Sequence, residues 1–414
     1  MGIRQPDAGC RRRDGRVVLR TAADIDWRGK IAVWRADFNT PLAAGGEIAD
    51  DLRIRASLPT ARHILREGGG IVCLSHLGRP REGVFDSALS LRPAAARLSE
   101  LLKTPVQFQP RIPKTKPRAG EVWMSENVRF NRGEKECAPA LAAEYAATGD
   151  VFVMDAFATA HRRECSTCAL AAATGDGCAG LLLAREIAAL SRAMDDPARP
   201  FLAIVGGAKV STKLPALRKL LAMCDRLIAG GGVANTFMAA DGMPVGASLT
   251  EEKMYAEARE LLKMYRDKII LPPDVVVAAE LSDSARARTI KTSDLSEIGD
   301  AERILDVGER TQSLYAENIA RARTVVWSGP AGAFEYAPFA AGTRAVARAV
   351  GESAAYSLAG GGDTLAAAAR FCPAGISYLS TGGGAFLEFL GGATLPALHS
   401  LRESLRKRRR GAVV

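Results

Sequence analysis

The sequence predicts an α/β protein of two Rossmann-like parallel-sheet domains, each a three-layer αβα sandwich, joined by a helix and facing a hinged cleft. Three observations predict it. At 414 residues the chain is longer than one hydrophobic core usually supports. Short apolar, β-branched runs alternate with helical stretches along it, the signature of parallel βαβ units. One amphipathic stretch, LLLAREIAALSRAM (181–194), followed by DDPARP, interrupts the series midway.

The first-half runs are IAVWRADF (31–38), GIVCLSH (70–76), EVWMSEN (121–127) and DVFVMDAF (150–157). The second half continues with FLAIVGG (201–207), RLIAGGG (226–232), DVVVA (274–278), TVVWSGP (324–330), YSLAGGG (356–362) and ISYLSTGGG (376–384). Most are apolar on both faces, as strands covered by helices on both sides must be. The expected division is an N-terminal domain over 1–180, an interdomain helix over 181–196 and a C-terminal domain over 197–385. Residues 386–414 are expected to return to the first domain.

Composition narrows the class. The 48% hydrophobic and 25% charged fractions are those of a globular protein. No apolar run approaches the ~20 residues that cross a bilayer, and the opening MGIRQPDAGCRRRDGRVVLR lacks the apolar stretch of a signal peptide. A cytoplasmic protein is expected, with no membrane partner. The net charge of +10 is concentrated at the ends, where residues 1–20 and 401–414 carry nine of the ten charges. A solvated basic tail is expected there, and no specific nucleic-acid partner.

The eight cysteines are irregularly spaced, unlike a disulfide framework. His161, Cys165, Cys168 and Cys178 include a C-x-x-C. A structural zinc site usually shows two close ligand pairs and here only one exists, so buried thiols are expected.

In open α/β sheets ligands bind outside the carboxyl ends of the strands, and there the two halves differ. The first half offers Asp37 and Asn39 with Arg53 nearby, then His76 and Arg79, then Arg129, then His161 and Arg162. Four arginines aimed at one edge call for a polyanion to balance them. The second half ends its strands in glycine: VGGAKVSTK, AGGGVANTF, SGPAGAFE, AGGGDT and STGGGAF. Such loops let backbone N–H groups approach a phosphate at a helix N-terminus. Asp363, after three glycines, is placed to meet Mg²⁺ on nucleotide phosphates. Lys209 and Lys213, four apart, are expected on one face of the following helix. GDGCAG (175–180) matches a dinucleotide fingerprint literally but follows no strand, and no P-loop motif is present.

Together these suggest phosphoryl transfer between two bound anions. The segments RADFNTPL, SHLGRP, ENVRFNRGE, DAFATAHR, GGAKVSTKL, GGGVANTF, VVWSGPAGAFE, GGGDT and STGGGAFLE resemble, in order, the signature segments of the phosphoglycerate kinase family. The resemblance runs from about Ile31 to about Leu401 and is strongest to proteobacterial members. It implies a monomer that exchanges phosphate between 1,3-bisphosphoglycerate and ADP, giving 3-phosphoglycerate and ATP with Mg²⁺, by direct in-line transfer on hinge closure. It further implies an N-terminal phosphoglycerate site of Asp37, Phe38, Asn39, Arg53, His76, Leu77, Gly78, Arg79, Arg129, His161 and Arg162. The implied C-terminal nucleotide site is Gly207, Lys209, Lys213, Gly231, Gly232, Gly308, Ser328, Glu335, Gly360, Gly361, Gly362, Asp363 and Thr364. Glu335 would serve the ribose and Asp363 the metal. Arg53, Lys209, Lys213 and Gly361 would act on the group in transfer.

The chain departs from the family pattern at four places. Ala158 stands for a usual glycine, Ser328 for the asparagine of WNGP, and GGA (391–393) for EGK. Arg163 and Glu164 add charges beside the substrate loop. A divergent paralogue, weakly active or only binding nucleotide or phosphate, is the alternative reading.

Overall fold

The computed structural model describes residues 19–43 and 45–411, with side chains to 406. The basic stretches 1–18 and 407–414 lie outside the described side chains. The chain divides into two compact units, residues up to 187 together with 394 onward, and residues 188–393.

The first unit carries a six-stranded, wholly parallel sheet. Its strands are β1 (Ile31–Arg35), β2 (Gly70–Leu74), β3 (Val106–Gln109), β4 (Val122–Ser125), β5 (Val151–Met154) and β6 (Gly177–Ala179). They lie in the order β3-β4-β2-β1-β5-β6. The chain winds away from β1 in one direction and from β5 in the other, so the topological switch point lies between those two strands. Helices α1 (Leu52–Arg66), α2 (Arg92–Leu102), α3 (Pro139–Ala146), α4 (Leu170–Thr174) and α5 (Leu181–Met194) follow in sequence. Trp27, Trp34, Ile54, Leu58, Ile71 and Leu98 form the core beneath α1 and α2.

The second unit repeats the plan. Its sheet comprises β7 (Phe201–Val205), β8 (Arg226–Ala229), β9 (Ile269–Ile270), β13 (Thr324–Ser328), β14 (Tyr356–Gly360) and β15 (Tyr378–Ser380), all parallel. The order β15-β14-β13-β7-β8-β9 puts this switch point between β7 and β13. Helices α6 (Leu214–Met223), α7 (Gly231–Ala240), α8 (Tyr255–Tyr265), α9 (Glu309–Arg321), α10 (Ala341–Glu352), α11 (Gly362–Phe371) and α12 (Gly384–Leu390) connect the strands. The last helix, α13 (Pro396–Gly411), belongs to the first unit and packs on α4 and β6.

The structure corrects several sequence expectations. DVVVA does not join the parallel sheet. It is β10 (Asp274–Ala278), the centre of an antiparallel trio with β11 (Arg288–Lys291) and β12 (Arg303–Val307). Its apolar side covers a separate small core of Met238, Val275, Val277 and Ile290, and two-sided apolarity cannot reveal pairing direction. GDGCAG follows helix α4 rather than a strand, as expected, and itself holds the short strand β6, paired with β5. Ala158 lies in a 3₁₀ turn, Phe157–Thr159, outside the left-handed region, so its Cβ brings no backbone strain. Cys165, Cys168 and Cys178 are buried free thiols.

Candidate active site: two anion sites at the sheet switch points

At the carboxyl ends of β1 and β2 the first site is tied together by its own polar groups. Phe38 N donates to Ser75 Oγ (2.8 Å), and Gly78 N donates to Asn39 Oδ1 (2.9 Å). Phe38 is fully buried with its ring edge-on to Trp34, the centroids 5.7 Å apart. Leu77 is buried too. Gly78 has φ +61°, and a Cβ there would lie 2.6 Å from Leu89 Cδ2, so the turn that aims His76 and Arg79 requires glycine.

Asp37, nearly buried, pairs with Arg53 in the first turn of α1. Arg129 follows β4 in a 3₁₀ turn. It donates to Gly78 O (2.7 Å) and to Glu164 Oε1 (2.8 Å), which fastens the end of β4 to the loops after β2 and β5. Arg79 is exposed, Arg162 is one-third exposed, and His161 is half-buried beside it.

His76 reports the field of this site. Burial holds its pKa well below the usual value, and Arg35, Arg129, Arg162 and Arg53 each depress it further. The ring is therefore neutral. Arg35 Nη2 approaches His76 Nδ1 at 3.4 Å, and a guanidinium can only donate. Nδ1 is thus the acceptor and Nε2 carries the proton. A neutral ring 3.8 Å from Asp37 Oδ1 makes no ion pair. Arg162 is likewise pushed down, by burial and then by Arg129. Four guanidiniums focused on one buried ring form an electropositive pocket suited to a multiply charged oxyanion.

Sequence reasoning missed the layer behind this pocket. Arg35 is fully buried, and its Nε donates to Ser166 Oγ (2.9 Å), which donates to Glu134 Oε1 (2.5 Å). Burial pushes the Glu134 carboxyl up to about 7. An arginine closing an otherwise apolar strand, IAVWR, was the available signal. Asp155 and Thr159, at the end of β5, are buried. Asp155 accepts from Trp34 Nε1 (3.1 Å) and from Leu182 N and Leu183 N (both 3.0 Å), capping α5.

The second site is built from backbone. After β7, Gly206 and Gly207 turn against the loop after β13, where Gly207 N donates to Pro330 O (2.9 Å). A Cβ on Gly206 would fall 2.0 Å from that carbonyl oxygen, so the approach excludes any side chain. Gly232, in the first turn of α7, leaves a built Cβ only 2.5 Å from Ala208 O. Gly231 N donates to Ala331 O (2.9 Å).

Lys213 lies at this switch point. Its Nζ donates to Gly206 O and to Ser328 O (3.1 Å), bridging the ends of β7 and β13. Burial pushes its pKa down to about 8, and only Asp363 acts to raise it. Lys213 is the residue before α6, and Lys209 is exposed in the loop ahead of it. The two lysines therefore do not share a helix face, because the glycine turn runs on to residue 213 and delays the helix.

At the end of β14, Gly361 takes φ +104° and Gly362 opens α11. A Cβ at Gly362 would meet nothing within 4 Å, so the start of α11 is open there, and a helix N-terminus of this kind can receive an anion. Asp363 is exposed in that first turn, and buried Thr364 Oγ1 accepts from Gly329 N (2.7 Å). Gly360 packs under Phe386, and Gly308 packs against Asp274 at the start of α9. Both thus have structural reasons to be glycine. Glu335 is exposed in the loop after β13.

Comparison with known proteins agrees with this fold. The family model described as phosphoglycerate kinase matches residues 22–393. A phosphoglycerate kinase of Francisella philomiragia is 47% identical over 388 residues, covering 92% of this chain and 98% of that one. One from Francisella tularensis is 48% identical over the same length. The structure of phosphoglycerate kinase from Coxiella burnetii superposes with a TM-score of 0.87 at 44% identity, covering 93% of this chain and 99% of its own. That from Pyrococcus horikoshii gives 0.79 at 31%, covering 94% of this chain and 100% of its own. The chain belongs to the phosphoglycerate kinase family.

Proposed function

We propose that this chain catalyses reversible phosphoryl transfer between 1,3-bisphosphoglycerate and ADP, with phosphoglycerate held by the first unit and nucleotide by the second. The observation that carries the reading is the gathering of Arg35, Arg53, Arg129 and Arg162 at one switch point, where contacts tie Arg35 to His76, Arg53 to Asp37, Arg129 to Gly78 and Glu164, and bring Arg162 to 3.9 Å from Glu164. That much positive charge is matched by a small phosphorylated carboxylate. In the ATP-forming direction a β-phosphate oxygen of ADP attacks the acyl phosphorus. The bond to the carboxyl oxygen breaks, and its electron pair leaves on 3-phosphoglycerate.

No protein nucleophile is needed, so catalysis is positioning and charge neutralisation. Arg53, Lys209 and Lys213 supply the charge, the first amides of α11 receive phosphate oxygens, and Glu335 serves the ribose. Direct transfer requires the two bound anions to meet with water excluded, so closure of the units on one another is part of the reading. A cytoplasmic monomer completes it.

Asp363 fits a Mg²⁺ role. It is an exposed carboxylate in the first turn of α11, and Mg²⁺ is commonly held by one or two carboxylates plus nucleotide phosphates. The ion, when bound, screens and orients those phosphates. Asp363→Ala should weaken Mg²⁺-dependent nucleotide binding in calorimetry and leave 3-phosphoglycerate affinity unchanged. Loss of both would make Asp363 structural.

The activity itself is tested by mixing purified protein, Mg²⁺–ATP and 3-phosphoglycerate, and following 1,3-bisphosphoglycerate through coupled NADH oxidation. Turnover well above a Lys209→Ala control is expected. Equal rates would favour the non-catalytic paralogue, which Ser328 and Gly391–Ala393 keep as the competing reading.

A further inference from the structure

Glu164 has no part in the chemistry above, yet it stands among the arginines that seek phosphate. It follows His161, Arg162 and Arg163 in a segment otherwise basic. Its Oε1 accepts from Arg129 Nη2 at 2.8 Å and lies 3.9 Å from Arg162 Nη1. The Arg129 and Glu164 side chains are only 5% and 8% exposed. The pair is also incomplete, because Arg129 Nε and Glu164 Oε2 are both buried without a hydrogen-bond partner. A buried guanidinium and carboxylate in a settled structural pair use both prongs. Here each keeps an unused group, a donor on one side and an acceptor on the other.

We propose that Glu164 is a built-in stand-in for the substrate's anion, holding Arg129 and facing Arg162 until phosphoglycerate arrives and lowering the affinity of the site for it. The inference rests on the substrate-site reading given above. Without a counter-ion, Arg129 and Arg162, which lie 2.8 and 3.9 Å from the same Glu164 Oε1, repel one another. Glu164 relieves that repulsion and keeps a buried guanidinium paired in the empty site. An arriving oxyanion competes for the same N–H groups and meets a like charge. Binding is therefore weaker, and release easier, than bare arginines would allow. Glu164 acts through Arg129 and is a positioning residue.

The experiment is calorimetry of 3-phosphoglycerate, and separately of inorganic phosphate, on wild type, Glu164→Gln, Glu164→Asp and Arg162→Ala. Glutamine keeps an acceptor for Arg129 and removes the charge. It should tighten 3-phosphoglycerate about two- to fivefold, a range set by the worth of one charge pair. KM for 3-phosphoglycerate should fall in proportion, with KM for ATP unmoved. Aspartate keeps the charge and should bind no more tightly than wild type. A merely structural Glu164 could only loosen binding when replaced, so an unchanged or raised Kd in folded Glu164→Gln overturns the proposal, as does aspartate binding as tightly as glutamine.

If Glu164→Gln does not fold, a crystal structure of the unmodified protein with 3-phosphoglycerate decides. The Arg129–Glu164 hydrogen bond should open, and a bond still at 2.8 Å with substrate on Arg162 overturns the proposal. Arg162→Ala separates the two levels. If that change leaves 3-phosphoglycerate affinity intact, the substrate-site reading has failed. If it weakens binding while Glu164→Gln does not tighten it, the failure is confined to Glu164.

Discussion

Replacing Arg53 by alanine is expected to lower kcat about 10²–10³-fold, the usual cost of removing one preorganised donor to a developing charge. The Kd for 3-phosphoglycerate should change only severalfold. Arg53 is the one arginine of the first site that starts a helix, in the first turn of α1, where it pairs with Asp37 and is one-third exposed. Unlike the buried Arg35 and Arg129, it is partly exposed and can exchange Asp37 for a group in transfer. Arg129 is held by Gly78 O and, until substrate arrives, by Glu164, and Arg35 by Ser166.

Arg162 differs in kind. It lies in the loop after β5 and faces Arg129 and Glu164, suited to an oxyanion that does not react. Contacts equally strong in ground and transition states appear mainly in KM. Arg162→Ala should therefore raise KM for 3-phosphoglycerate and hold kcat within a fewfold. Steady-state kinetics showing the reverse pattern, with Arg162 controlling kcat and Arg53 controlling KM, would overturn both assignments.

How much of this was legible depended on whether a feature is local. The central strands β1, β2, β5, β7, β13 and β14 announce themselves because burial on both faces demands an apolar run. The glycines after β7 and β8 announce themselves because a close backbone approach excludes other residues, as the 2.0 Å clash at Gly206 shows, and Gly361 after β14 does so through its φ of +104°. Strand β3, Val106–Gln109, is only partly buried and carries two glutamines, so at the sheet edge it reads as a loop. Strand β9 is two residues long. The direction of β10 is set by its partners, which its own residues do not encode.

In the site, charged residues at strand ends were legible as a set, whereas their pairing was not. Arg35 reads as part of a strand until its burial is seen. Glu164 reads as one more surface charge until it is found 2.8 Å from Arg129. Lys209 and Lys213 have helical spacing, but helix α6 starts at Leu214. Spacing alone cannot tell a glycine turn from a first helical turn.

Lys213→Met should nearly abolish turnover and yet leave the second unit more stable at pH 7. The side chain is buried between Gly206 O and Ser328 O, and its pKa is about 8 where an unfolded lysine has 10.5. Between those values the unfolded chain binds the extra proton, so stability rises as pH climbs from 8 towards 10.5. Below 8 the buried ammonium is a full cost. Methionine removes the charge at similar length. The net gain at pH 7 should be about 1 kcal/mol, because two carbonyls lose their donor.

The same cation is what a nucleotide phosphate would meet at the switch point, so its loss should lower kcat about 10²–10³-fold. In the wild type, kcat/KM for ATP should fall as pH rises through 8, following the loss of the ammonium in the free enzyme. Urea unfolding at pH 7 and pH 10 tests the first half, since the gain from methionine should be present at 7 and gone at 10. A pH–rate profile from 6 to 10 tests the second. A Lys213→Met protein that is less stable at pH 7 and still turns over at the wild-type rate would show that this lysine only ties β7 to β13.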